Sequence, residues 1–542
     1  MSAQPKLRTF QRDATGLVRE ASTLDAFVYN VNFINIGIGA AFIALFYALD
    51  YPGASLPLGI VLVTLATIPT ALVYAMFAAA MPRSGGDYVY VSRVLGPAWG
   101  MIGSWNWTLW NVLYAGTPAA YFGEYGLSQF FRVLGVYLHA GGLVRLGNWF
   151  STPLGAFLAG SFLIIVFVGL FIRGLKTYMR VQNVLFALAL MSVLVSIVVL
   201  ASSDHAAFVA GFNRYAAALT GRQDVYQAIV RAAGPLVRPQ PFSLRQTLVG
   251  MTWVYLVMGF NIASAYIGGE VKSARRSQLI AMPLGGLFAG AFMLVLVVLL
   301  LDVVGGGTLR AIAAANPATL GMASSPVYPE LVGALSSNAL VAGLIAFGFI
   351  FWTYTWLPGN MMIPSRNLLA YSIDHMMPAK LGEVHPRLHA PVFNMALIGA
   401  LSIASTALFL FGHLPILSGI FGFVLSFFIT SVAAVLFPLR MPEVFEASPV
   451  NWRVGRVPVI SILGALSIVL TGFIEYFYLS APDSGVGILV TPDKGAGVVT
   501  WDMFYVNVAV LVSGVVIYLV AKWVQRGRGI DVDLAFREIP PE

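Results

Sequence analysis

The sequence predicts an all-α integral membrane protein with twelve transmembrane helices. Three observations carry this. The chain has 542 residues, of which 58% are hydrophobic and only 10% charged, whereas a soluble globular chain is nearer one quarter charged. Apolar runs of the roughly 20 residues needed to cross a bilayer recur along it. Lysine and arginine are distributed among the connecting loops as membrane topology requires.

The runs fall at about 25–48, 56–80, 97–122, 152–173, 181–202, 244–270, 278–302, 337–359, 392–412, 414–438, 457–479 and 501–524. We number them segments one to twelve. With residues 1–24 assigned to the cytoplasm, the inside stretches hold 22 Lys and Arg and the outside stretches 9, which accounts for all 31. Five of the nine lie in 203–245, a long loop where the rule weighs least. Both tails, 1–24 and 525–542, are therefore expected to be cytoplasmic, in a multi-pass protein of the cell membrane. Lys6, Arg8, Arg12 and Arg19 precede a run that is too long for a signal peptide and lacks a small-residue cleavage site, so it is expected to remain as a helix. The organisation that follows is a first block of five segments over 25–202, an extracellular loop over 203–243, a second block over 244–438 and a closing pair over 457–524. The other long outside stretches, 303–336 and 480–500, fall short of domain size, and the first is expected to contain short helical pieces.

Composition removes several classes of function. There is no cysteine, which excludes disulfides, thiolate metal sites and cysteine nucleophiles. His385 and His389 form one close histidine pair, in a polar loop with Pro386 and Pro391, and are read as plain loop residues, with no metal site. No His-Glu-x-x-His or Gly-x-Ser-x-Gly motif is present, and no Gly-Lys-Ser/Thr phosphate loop, so neither a membrane enzyme nor an ATP-driven pump is expected. The net charge of +8 is spread over many short loops, which speaks for topology and against nucleic acid.

Two segments are interrupted. Segment one reads VNFINIGIGAAF over 31–42, with Asn35, Gly37 and Gly39 inside an apolar run, and segment six contains Met258-Gly259-Phe260-Asn261. Each such residue weakens a helix. Segments one and six are five apart and run in opposite directions, the pattern of an inverted-repeat transporter with its site at the breaks. Unwinding frees N–H groups at the start of one half-helix and C=O groups at the end of the other. The first end attracts a carboxylate and the second an ammonium or cation, so the pair suits a zwitterion. The competing reading makes Gly37, Gly39 and Gly259 small residues at helix–helix contacts, with Asn35 and Asn261 as interhelical glue.

The stretch MPRSGGDYVYVSRVLGPAWGMIGSWNWTLW (81–110) closely resembles the loop between spans two and three of amino acid–polyamine–organocation permeases. IGGEVKSARRSQLIAM (267–282), SRNLLAYSIDHMMPAKLGEVHPRLHAPVFNM (365–395) and STLDAFVYNVNFINIGIGAAF (22–42) resemble other segments of that family. The resemblance implies a leucine-transporter-type core of two inverted five-helix repeats, with broken helices one and six and two further helices. It implies alternating-access transport of amino acids or related small amines. The family's binding stretches fall here on Asn35, Ile36, Gly37, Gly39 and Ala40, on Met258, Gly259, Phe260, Asn261 and Ile262, and on Trp110, Asn111 and Tyr114 of segment three. Family members often carry an acidic residue where Asn261 stands.

Charges in the apolar runs are few. Asp25 opens segment one, either as a first-turn charge or as a coupling group. Glu270 ends segment six beside Lys272, Arg275 and Arg276 and is expected in an inner-gate salt bridge. Glu124 and Glu475 are read as boundary residues. Thr353 and Thr355 are the hydroxyls available to a sodium ion in segment eight. No cofactor is expected, and sodium coupling, proton coupling and exchange all stay open. A nucleobase or polyamine permease is the alternative within transport. A nutrient sensor is the alternative outside it, disfavoured because tails this short leave no room for an output domain.

Overall fold

The computed structural model describes residues 16–412, 416–489 and 500–537. The basic residues Lys6, Arg8, Arg12 and Lys494, used in the topology count, lie outside the described residues. Among the described residues ten helices are long and apolar enough to cross a membrane, and they fall on ten of the twelve predicted segments. The exceptions are segments three and six. Segment three is helical over Pro97–Tyr114, then continues through Gly116–Tyr121, a π-helical turn and Ser128–Tyr137, well past its predicted end. Segment six is helical only over Leu244–Met258.

Other boundaries also move. Segment eight runs to Ile373 rather than 359, because its second part, Trp356–Ile373, continues from Thr355 despite an internal Pro364. The loop 203–243 is mostly two helices, His205–Thr220 and Val225–Ala233. The helical pieces expected in 303–336 are present at Gly306–Ala314 and Tyr328–Gly333.

Segment two packs along segment seven (Ala274–Val303), and segment one packs against seven as well. Segment eleven (Val459–Ser480) lies against segments ten, two and six. A short hairpin, Arg453–Val454 with Val457–Pro458, joins ten to eleven. Segments four, five and twelve expose Phe162, Val198 and Trp523, which suits faces that meet lipid. Segments one, three, six, eight and ten meet at the centre, and that is where the interruptions lie.

Candidate substrate site and its seals

Segment one breaks at Asn35. Helix Thr23–Ile34 ends there with φ 70° and ψ 77°, a left-handed conformation that Asn tolerates better than most residues. Its side chain restores what the break removes. Oδ1 accepts from the Ile38 N–H at 3.1 Å and caps the next half-helix, while Nδ2 donates to the Trp352 carbonyl at 2.8 Å. Residues Gly39–Ile43 then form a π-helical turn. The two glycines do not supply the bend. A Cβ on Gly37 would overlap the Trp352 ring, and one on Gly39 would overlap Met293 Sδ. They are close-approach residues, as the helix-contact reading expected, and the asparagine makes the turn.

Segment six unwinds at Gly259, the cap of helix Leu244–Met258, and continues as 3₁₀ pieces Ala263–Tyr266 and Gly268–Glu270. Ser264 holds this irregular stretch in place. It exchanges two hydrogen bonds with the Asn30 amide, at 2.9 and 3.0 Å, and two with the Gln278 amide of segment seven, at 2.6 and 2.8 Å. Sequence reasoning passed over Asn30, Ser264 and Gln278. Their signal was three amide or hydroxyl residues inside apolar runs, which is uninformative until the fold brings them together.

Between the breaks lies a cavity of about 20 Å³ walled by Phe33, Tyr114, Leu256, Phe260, Trp356, Asn360, Ile420 and Phe423. That holds about one water and no amino acid, so the site is closed. Phe260 forms part of that wall, with ring centroids 5.8 Å from Phe33, 5.9 Å from Trp107 and 5.4 Å from Phe423. The Tyr114 hydroxyl and the Trp356 indole N–H are buried and make no hydrogen bond.

Of the predicted site residues, Phe260 and Tyr114 reach the cavity wall. Ile36, Ala40, Met258 and Ile262 are buried beside the breaks. Trp110 packs against Gly419 and Gly422 of segment ten, and it is Trp107 that touches Phe260. Asn111 donates back to the Trp107 carbonyl of its own helix at 2.8 Å. Asn261 turns toward Gly286 of segment seven, its amide atoms unpartnered. Thr353 and Thr355 direct their hydroxyls to the Ile350 and Trp352 carbonyls, 2.6 and 3.4 Å away in the same segment. Asp25 forms a capping box with Ser22 and accepts from the Asn183 amide at 2.6 Å, the work of a helix-start residue.

An amino acid permease family model matches residues 22–515. The chain belongs to the amino acid permease family. The methylthioribose transporter of Bacillus subtilis (strain 168) is 23% identical to it over 482 residues, covering 87% of this chain and 90% of that one. The branched-chain amino acid permease BcaP of the same organism is 25% identical over 441 residues, covering 80% and 84%.

The permease is sealed at both ends of the cavity. At the end rich in Arg19, Arg83, Arg275 and Arg276, here called the basic face, Glu270 does form a salt bridge, but its partner is none of the neighbours in sequence. Arg366 of segment eight reaches it with two parallel hydrogen bonds, 2.6 and 2.8 Å, and both side chains are 3% exposed. The Glu270 carbonyl also accepts from the backbone of Glu20 and Ala21, and Lys272 N–H donates to Ala21. Residues 20–21 are thus stitched to the segment-six exit. Beside this seal, Asp87 starts the short helix Asp87–Val94 between segments two and three, 1% exposed, with neither carboxyl oxygen hydrogen-bonded. Burial pushes its carboxyl up to about 7, an effect the nearby Tyr266 and Ser104 hydroxyls only partly offset.

At the opposite face, Asp483 of the loop after segment eleven accepts from the Tyr51 hydroxyl and, at 2.6 Å, from the Trp253 indole N–H. The same N–H lies 3.1 Å from Asp50. Burial holds the Asp483 carboxyl above its ordinary range, an effect that its hydrogen bonds with Tyr51 and Trp253 only partly offset. This latch ties segments one and six together at that face.

Proposed function

We propose that this protein is a secondary permease that moves amino acids, or related small zwitterionic or cationic amines, across the cell membrane by alternating access. The observation that carries the reading is the pair of breaks, at Asn35 and Gly259, facing one closed aromatic cavity. In this reading the twelve segments comprise two inverted repeats of five plus a closing pair, with both tails in the cytoplasm. The half-helix ends at Asn35–Ala40 and Met258–Ile262 take the substrate's charged groups. Tyr114 and Trp356 offer it the two unpartnered donors on the wall, and Phe260 closes over its side chain. The apolar lining favours an aliphatic or aromatic side chain, which fits the similarity to a branched-chain amino acid permease.

The similarity to a methylthioribose transporter supports a second reading, in which the substrate is a small organic solute other than an amino acid. Both readings are tested by one experiment. Purified protein in proteoliposomes is given a panel of radiolabelled amino acids, amines, nucleobases and methylthioribose, with and without sodium and proton gradients. We expect saturable uptake of an apolar amino acid. We also expect Phe260→Ala to raise its KM about tenfold or more and to admit bulkier solutes, since removal of a wall phenyl opens the cavity. Uptake confined to methylthioribose or a nucleobase selects the second reading. Binding without uptake under every gradient rejects transport.

A further inference from the structure

We propose that Glu475 is the proton-carrying group of this permease. The inference rests on the transport reading above and deepens it by naming the coupling ion. Glu475 lies on segment eleven, 8% exposed, and neither of its carboxyl oxygens has a hydrogen-bond partner. It belongs to a buried stripe of Ser467, Thr471, Glu475 and Tyr478, whose spacings of four, four and three put it on one helix face. That face looks into the protein. Ser467 Oγ is 2.7 Å from the hydroxyls of both Thr70 in segment two and Ser431 in segment ten, and Tyr478 donates to the Thr252 carbonyl of segment six at 2.8 Å.

Ser467 meets Ser431, and Gly464 packs against Ser431 and Ala434. Segments ten and eleven are therefore antiparallel, and Glu475, eight residues beyond Ser467, comes level with Phe423 of the cavity wall. The Tyr478–Thr252 hydrogen bond sets segment eleven against segment six, and one turn further along each helix stand Glu475 and Tyr255, whose buried hydroxyl is also unpartnered. The Tyr255 ring lies against Gly259, where segment six unwinds.

Among the described residues of the segments packed around it, no cation serves this carboxyl. Segment two carries no charged residue. Segment six has one cation, Arg245, ten residues and about 15 Å of helix before Tyr255, and one acid, Glu270, which is paired with Arg366 at the far end. The described part of segment ten has only Arg440, at its far end. Segment eleven has no charged residue but Glu475, with Tyr476 and Tyr478 as its phenols, and Asp483 follows it as another acid. A bare carboxylate in such surroundings costs several kcal/mol, so the packed arrangement holds the acid form. When segment six swings away from segment eleven, water reaches the carboxyl and stabilises its ionised form. Closure and proton occupancy are thereby linked. A proton from bulk water forms the O–H bond of Glu475 and later returns to water on the other side; nothing is oxidised or reduced.

The test has two arms. In proteoliposomes, the wild type should concentrate substrate under an inward proton gradient and E475Q should lose that accumulation, while substrate counterflow, which needs no gradient, persists. Accumulation by E475Q equal to wild type overturns the proposal, as does a wild type indifferent to the proton gradient. The second arm needs no substrate. Infrared spectra of the full-length protein at neutral pH should show the C=O stretch of a protonated carboxyl that is missing in E475Q and shifted in Y255F. Absence of that band overturns the proposal even if the solute panel yields no uptake, an outcome that would instead reject the permease reading.

Discussion

Asn35 replaces part of a helical ladder with its own side chain, and the two glycines beside it serve a different purpose. The indole that fills the space over Gly37 is fixed, since Trp352 Nε1 donates to the Ala189 carbonyl at 3.0 Å. The group over Gly39 is a methionine thioether, which can swing aside. Gly37→Ala should therefore destabilise by about 1–3 kcal/mol, the range of core overpacking, and Gly39→Ala by clearly less. Thermal unfolding of the two variants in detergent checks this, and equal losses would refute it. A glycine that permits bending and one that permits contact look identical in a sequence. The same holds for the tryptophans of segment three: Trp107, not Trp110, meets Phe260, and only the roll of the helix against segment ten decides between them.

At the scale of elements, the exit of segment six is held by a buried ion pair instead of by helix. Glu270 and Arg366 satisfy each other, so loss of one strands a charge. E270Q alone should cost about 3–5 kcal/mol, and E270Q with R366M should recover part of it, because paired removal leaves no uncompensated charge. A double-mutant cycle on unfolding free energy measures the coupling, and strict additivity would refute it. The salt bridge itself was legible, because a glutamate among arginines at a membrane end announces one. Its partner was not, since Arg366 lies 96 residues away. Asp87 adds a pH dependence to the same region. Its folded carboxyl is raised from 3.8 to about 7, so between these values the folded state holds a proton that the unfolded state has released. Stability from this group is fully present below about pH 4 and is lost progressively up to about pH 7. Asp87→Asn should raise Tm at pH 8, corresponding to at most about 4 kcal/mol, and leave it nearly unchanged at pH 4. A pH series of melting curves decides.

At the scale of the whole molecule, ten of the predicted segments were legible because lipid imposes a long, uncharged helix and nothing shorter. Segments three and six fall outside that rule because they line the centre, where π turns, 3₁₀ pieces and polar side chains are sheltered by neighbouring helices. The helices over 205–233 were missed because extramembrane helices carry no such length signature. The seal at the basic face also has a kinetic meaning. A transporter that opens there must, once per cycle, peel residues 20–21 from the segment-six exit and part a desolvated ion pair. The pair must part before water can rehydrate its two charges, and that intermediate stage is costly. Turnover is then governed by a large activation enthalpy, and the permease should slow in the cold far more steeply than diffusion through water does.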